Sequence, residues 1–317
     1  MSDQQQDDVN LNDAYKNIVE NQENPTQEEP KNLGSINMDR FKQPEGRDAD
    51  AVLGYHSIAM DSMPSGGRFY PENSQISIRA AKVAEIRNFS IVDESNLLDI
   101  EEKLNYIIKH CVRFTSNSKV LSYKDILEED RFFILLSIRN LTFPEPENSL
   151  QTTARNSDGV EFDVKIDSRY FQTSEIPEEI EKYYSEEDRI FNVETKSFGV
   201  IKLSPPTIGI MEVVTDYIKV KQIQKKPWDQ SYLQILPYIQ QSWRGFNDKS
   251  IFKGEVDFQS WNERKYMLVY QLAEKIKVGI QPDMLVPHED EEVLVPINFR
   301  DGIKSLFLIQ DLSGELL

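Results

Sequence analysis

The spacing of apolar positions changes period several times along this chain, and each change predicts a different kind of element. In LLDIEEKLNYIIKHC, apolar side chains fall at 97, 100, 104, 107, 108 and 111, the 3.6-residue spacing of a helix with one buried face. Asp93 or Ser95 supplies its N-cap. Just upstream, AAKVAEIRNFS reads as a short helix with Val83, Ile86 and Phe89 turned inward. EDRFFILLSIRNL, residues 129–141, is apolar almost all the way round, which predicts the most buried helix of the N-terminal part. Pro144 and Pro146 stop it. Ahead of these helices, PSGGRFYPENSQISIR places one turn at Pro64 and Gly66-Gly67 and another at Pro71–Ser74. Ile76 and Ile78 then alternate with Ser77 and Arg79, as in a strand.

Over residues 150–203 the period drops to two. GVEFDVKID sets Val160, Phe162, Val164 and Ile166 on one strand face, and FNVETKSFGVIKLS reads as two strands about a turn at 196–199. Between them IPEEIEKYYSEED forms an acidic helical turn. From Pro206 the helical period returns, with one helix at Ile208–Ile223 and another at Trp228–Trp243 that Pro237 must kink or divide. A third spans Phe258–Val278, with Trp261, Met267, Leu268, Leu272 and Ile276 as core contacts. The end of the chain is strand again: Val293 and Val295 alternate with Leu294, and Arg300–Gly302 marks a turn. These patterns predict an α+β fold: helical units, a central antiparallel β module and a C-terminal β ribbon. The expected organisation is a disordered acidic arm (1–52), an N-terminal helical unit with its opening turn and strand (53–148), the β module (149–205) and a C-terminal helical unit with the ribbon (206–317).

Charge sharpens the picture of the arm. The chain carries 36 basic and 54 acidic residues, a net charge of −18. Residues 1–50 hold 12 of the acids and 5 of the bases, with too little apolar surface to offset their chain entropy. Leu11, Ala14, Tyr15, Ile18 and Val19 nonetheless share one helical stripe, so the arm reads either as a frayed tail or as a segment that folds onto a partner groove. Its removal is expected to leave the fold intact. An acidic surface disfavours nucleic-acid backbones and anionic membranes and favours a basic or neutral protein partner. No basic-then-apolar leader and no run of about 18 apolar residues is present, so neither a signal peptide nor a membrane span is expected.

The chemistry of an active site is hard to assemble from these residues. The three histidines, His56, His110 and His288, fall in separate segments, and the single cysteine, Cys111, lies on the apolar face of its helix. That is too few nitrogen and sulfur donors for a transition-metal site. His110 and Cys111 are neighbours on a helix and point about 100° apart, which prevents an easy shared proton. Cys111 is expected to be a buried small apolar residue. Gly66-Gly67 lacks the spacing of a phosphate-binding loop and suits a turn with positive φ. Acidic clusters are numerous and read as solvated faces, though an unrecognised carboxylate pair is the enzyme alternative. KVKQIQKKPWDQ, with Lys219, Lys221, Lys225, Lys226 and Trp228, reads as a helix terminus with cations at its carbonyl end; the rival is a patch for phosphates.

Two stretches resemble a baseplate-hub and tail-assembly family of T-even-type contractile-tailed phages. MPSGGRFYPENSQISIRAAKVAEIRNFS (63–90) is similar to that family's opening turn, in Pro64, Ser65, Gly66, Gly67, Phe69, Tyr70 and Pro71, then Ile76, Ile78 and Arg79. DILEEDRFFILLSIRNLTF (125–143) continues the likeness. The second stretch is VPHEDEEVLVPINFRDGIKSLFLI (286–309). Related sequences often carry paired cysteines there, where this chain has Pro287, His288, Glu289 and Asp290, so any metal of the relatives is expected to be lost.

The resemblance implies a non-enzymatic virion or tail-assembly protein, without catalytic residues, cofactor or metal. It would bind and position other tail or baseplate proteins, with self-association inside a symmetric particle. It would work in the virion or in the host cytoplasm during assembly. A head, neck or scaffolding component, or an assembly chaperone, is the alternative. Phe69, Tyr70, Trp228 and Trp243 are the expected partner-binding residues, because exposed aromatics dominate interface energies.

Overall fold

A four-stranded antiparallel sheet opens the fold, in the order β1 (His56–Ile58), β2 (Ser74–Ile78), β3 (Val112–Ser116), β4 (Lys119–Leu121). This is a computed structural model, and it describes residues 54–144, 149–288 and 291–308. The acidic arm and its helical stripe lie outside the described residues. Ile76 and Ile78 of β2 stand opposite Phe114 and Val112 of β3, and both isoleucines are fully buried.

Two helices connect β2 to β3. In α1 (Val83–Ser90), Phe89 is buried and Ile86 packs against the core, but Val83 points outward and is 70% exposed. The reason is electrostatic. Glu85 is the buried residue of the first turn, where it accepts from the Lys82 N–H and pairs with Arg79 at 2.8 Å, and this orientation leaves Val83 in solvent. α2 (Leu97–Cys111) has the expected inner face of Leu104, Ile107, Ile108 and Cys111. Its cap is Asn96, whose Oδ1 accepts from Leu98 N at 3.1 Å, rather than Asp93 or Ser95. α3 (Glu128–Thr142) is buried on nearly every side, as its sequence requires.

The residues expected to form one central β module are divided. β5 (Gln151–Arg155) and β6 (Glu161–Lys165) form a hairpin in which Val164 is buried and Val160, beyond the strand, is exposed. β7 (Phe171–Thr173) joins a different sheet. After the short helix α4 (Glu178–Glu181), a third sheet runs in the order β10 (Gly199–Leu203), β9 (Ile190–Thr195), β8 (Tyr184–Ser185), closed by the expected turn at 196–199.

α5 (Ile208–Ile223) has the bounds its period predicts. α6 (Gln230–Ile239) is shorter than Trp228–Trp243: Pro237 sits in its last turn and the helix ends at Ile239. An unexpected helix, α7 (Asp248–Phe258), capped by Asn247, precedes the one expected over Phe258–Val278, which is α8 (Glu263–Lys275), capped by Asn262. Leu272 and Ile276 are buried while Met267 is 42% exposed. β11 (Ile280–His288) then pairs with β12 (Glu291–Pro296) on one side and with β7 on the other. The fold class is α+β.

Two apolar cores result. The first combines the opening sheet, α1 to α3, β5 to β7 and the terminal strands, from Ile58 to Phe307. The second, from Ile180 to Ile276, combines β9, β10 and helices α5 to α8. The second is thus inserted within the first. β7, which falls inside the segment 149–205 expected to form one β module, pairs with a strand more than a hundred residues downstream.

Candidate functional site

The turn between Pro64 and Pro71 lies where the two cores meet. Gly66 and Gly67 have φ of +62° and +73°, a region that other residues adopt only with strain. A Cβ on Gly67 would also lie 2.9 Å from Met60 Cβ. The conformation directs Ser65 and Tyr70 toward the start of α3. There Asp130, wholly buried, accepts from Ser65 N at 2.9 Å, Ser65 Oγ at 2.6 Å and Tyr70 Oη at 2.7 Å. Tyr70 Oη in turn accepts from Leu127 N at 3.1 Å. Each polar atom taken from water thereby receives a partner. Burial still raises the Asp130 pKa above the usual aspartate range, against the pull of these three donors.

Phe69, next along the chain, faces the second core. Its ring meets Tyr184 edge-on at 5.5 Å and Phe191 at 5.9 Å. The Arg68 guanidinium lies 3.7 Å from the Tyr184 ring centroid and is ion-paired with Glu181. Tyr184 Oη donates to Arg68 O at 2.9 Å. One turn therefore anchors both cores, Tyr70 in the first and Phe69 with Arg68 in the second.

A second tie is made by Trp243. Its Nε1 donates to Asp125 Oδ1 at 2.9 Å, and Arg244 donates to Asp125 Oδ2 at 2.7 Å. The indole sits so close to α5 that a Cβ on Gly209 would lie 2.6 Å from Trp243 Cγ. Trp228, half-buried, packs on the second core. Phe69, Tyr70, Trp228 and Trp243, the residues expected to bind a partner, all make contacts within the chain. Tyr70 is only 4% exposed with its hydroxyl occupied, and the other three are half-buried in contacts within the chain.

Between α2 and α5 lies an open cleft of about 300 Å³, lined by Glu101, Glu102 and Asn105 on one side and Glu212, Asp216 and Lys219 on the other. Most of its charge is answered internally. Tyr123 Oη and Lys124 Nζ contact Glu212 at 2.8 and 2.7 Å, and Lys219 reaches Glu102 at 3.0 Å. Arg131, nearly buried, contacts Glu101, Glu128 and Asn105. Lys221 lies 3.9 Å from Glu255, so two lysines of the basic stretch at the end of α5 face acidic partners.

The histidines occupy different elements: His56 on β1, His110 tilted against Tyr106 in α2, His288 stacked on Phe162 at 3.7 Å. Cys111 is fully buried, and burial pushes its thiol up to about 12. Among the described residues no helix is long and apolar enough to cross a membrane.

The residues that sequence reasoning missed are the carboxylates at the start of α3, taken for a solvated acidic run. One signal was available. A helix apolar on nearly every face must bury part of its first turn too, and here Asp130 is wholly buried while Glu128 and Glu129 are half-buried. No family model, curated protein or solved structure matches this chain.

Proposed function

We propose that this protein is a non-enzymatic component or assembly factor of a phage tail or baseplate, which binds and positions other tail proteins. The observation that supports this reading is the Ser65–Asp130–Tyr70 network. Two of the stretches that carry the family resemblance, 63–90 and 125–143, are far apart in sequence, and this network makes them one physical device. Under this proposal the two resembling stretches serve to hold the opening turn to a buried helix, which is a property of the scaffold. On this reading the protein acts in the particle or in the host cytoplasm during assembly. With the four aromatics used inside the chain, apolar contact with partners falls to other side chains, such as Ile223, Phe252 and Val256, which are 82%, 56% and 51% exposed.

The test is affinity capture from phage-infected cells with the full chain as bait, with co-purifying proteins identified by mass spectrometry. Tail or baseplate proteins recovered at fixed ratios support the proposal. Presence in purified particles then separates virion component from chaperone. Head or scaffolding proteins move the role elsewhere in the particle, and recovery of host metabolic enzymes alone would sink the phage reading.

A further inference from the structure

The start of α3 lies where the chain passes twice between the cores. On one side runs the connector from β10 to α5, stitched to it by Glu128 N to Pro206 O at 2.9 Å and Ile208 N to Ile126 O at 2.8 Å. On the other runs the link from α8 to β11, whose Gly279 backbone covers Glu129: a Cβ there would lie 3.5 Å from Glu129 Cγ. Both Glu128 and Glu129 have an Oε2 closed off from solvent with no hydrogen-bond partner.

The charges around these carboxyls offer Glu129 little. Glu128 and Asp130 flank it on its own helix, and Tyr70 approaches from the opening turn. Lys277, on the α8–β11 link, is the cation that faces it, and its Nζ is 2.6 Å from Glu274. Glu128 has Arg131 at 2.6 Å, with Glu101 of α2 and Glu212 of α5 opposing it. The helix N-terminus and Glu129's own N–H favour the anion. Burial, with two neighbouring carboxyls, outweighs both and lifts the Glu129 pKa well above the usual range.

We propose that this first turn of α3 is a proton-operated catch: the joint between the two cores closes around a protonated Glu129 and loosens when that carboxyl ionises. An ionised carboxylate with one oxygen closed off and unpartnered, and with its facing lysine held by Glu274, must recruit water or move, and both routes separate the segments that cover it. The sign follows from linkage. A carboxyl whose pKa is higher in the folded than in the unfolded chain favours folding when protonated. That contribution is lost as pH rises from the unfolded value, about 4.3, through the raised folded one. Carboxylates held low by partners, such as Glu85 and Asp167, are ionised in both states over that window and cancel.

The experiment is thermal unfolding of the full chain and of Glu129→Gln between pH 5 and pH 8. The amide keeps the shape of the protonated acid and cannot ionise. The difference in midpoint, variant minus parent, is expected to climb with pH and to be positive by pH 8. Amide exchange at Glu128 and Ile208, corrected for intrinsic rate, is expected to quicken toward pH 8 in the parent and not in the variant. A midpoint difference that does not change with pH, or a variant less stable throughout, overturns the proposal. Should the variant fail to fold, proton release on urea unfolding of Glu128→Gln at pH 7 decides it, because the neighbouring carboxyl, itself raised to about 7, is then absent: release supports the catch, and uptake or no exchange refutes it.

Discussion

Asp130 grips Ser65 twice, through its backbone N–H at 2.9 Å and its hydroxyl at 2.6 Å, and the same carboxylate takes the Tyr70 hydroxyl. Removing one donor leaves a buried acceptor short of a partner, which costs about 1–3 kcal/mol. Ser65→Ala and Tyr70→Phe should each lower stability by that amount in urea titration. Because both act on one carboxylate, their double variant should depart from additivity. Strict additivity would show that the network does not act as a unit.

Gly66 and Gly67 share a positive φ but not a neighbourhood. Gly66 has open space around its Cα hydrogens, whereas a Cβ on Gly67 meets Met60. Both alanine variants pay backbone strain of about 1–3 kcal/mol, and Gly67→Ala should be the less stable of the two by calorimetry. Equal midpoints would mean that Met60 yields freely.

Trp243 gives an optical handle on the second tie. Gly209→Ala forces the indole away, an overpacking that costs about 1–3 kcal/mol, and should shift tryptophan emission to the red. Trp243→Phe keeps an aromatic ring but leaves Asp125 Oδ1 without its indole donor. A loss of about 1 kcal/mol is expected.

Arg68→Lys keeps the charge beside Glu181 and loses the flat contact over Tyr184. The expected cost is about 0.5–1 kcal/mol, and it should persist in high salt, since stacking is screened less than a half-exposed ion pair. A cost abolished by salt would assign the effect to the ion pair alone.

Cys111 provides a probe of opening. With no exposed surface and a thiol pushed up to about 12 by burial, it should resist a thiol reagent at pH 8 in the native protein and react at once in denaturant. Rapid labelling of the native chain would contradict the packing of α2 against the sheet.

The elements read most accurately from sequence are those with a single buried face or a marked start. Leu97–Cys111 matches because apolar and polar positions separate around the helix, and Ile208–Ile223 because an apolar run of helical length follows the Pro205-Pro206 break and the Thr207 cap. α7 escaped because it divides its apolar residues between the core, at Ile251, and solvent, at Phe252 and Val256, so its period is blurred. Val83 misled because a buried Glu85 with its Arg79 partner took the inward position. Asp130 and its donors are invisible to periodicity: nothing local in SGGRFY says that a carboxylate sixty residues on will receive it. The pairing of β7 with β11 is hidden for the same reason.

The insertion of the second core within the first sets an order of events during synthesis. Residues 180–276 are contiguous, so the second core can assemble as soon as α8 leaves the ribosome. The first core waits for Phe307, whose ring closes on Phe89 at 5.2 Å. Until then, the inner faces of β2 and α3 stay uncovered on the nascent chain. The late-arriving ribbon is therefore the segment whose loss would strand the earliest-made part of the protein in an open, aggregation-prone form.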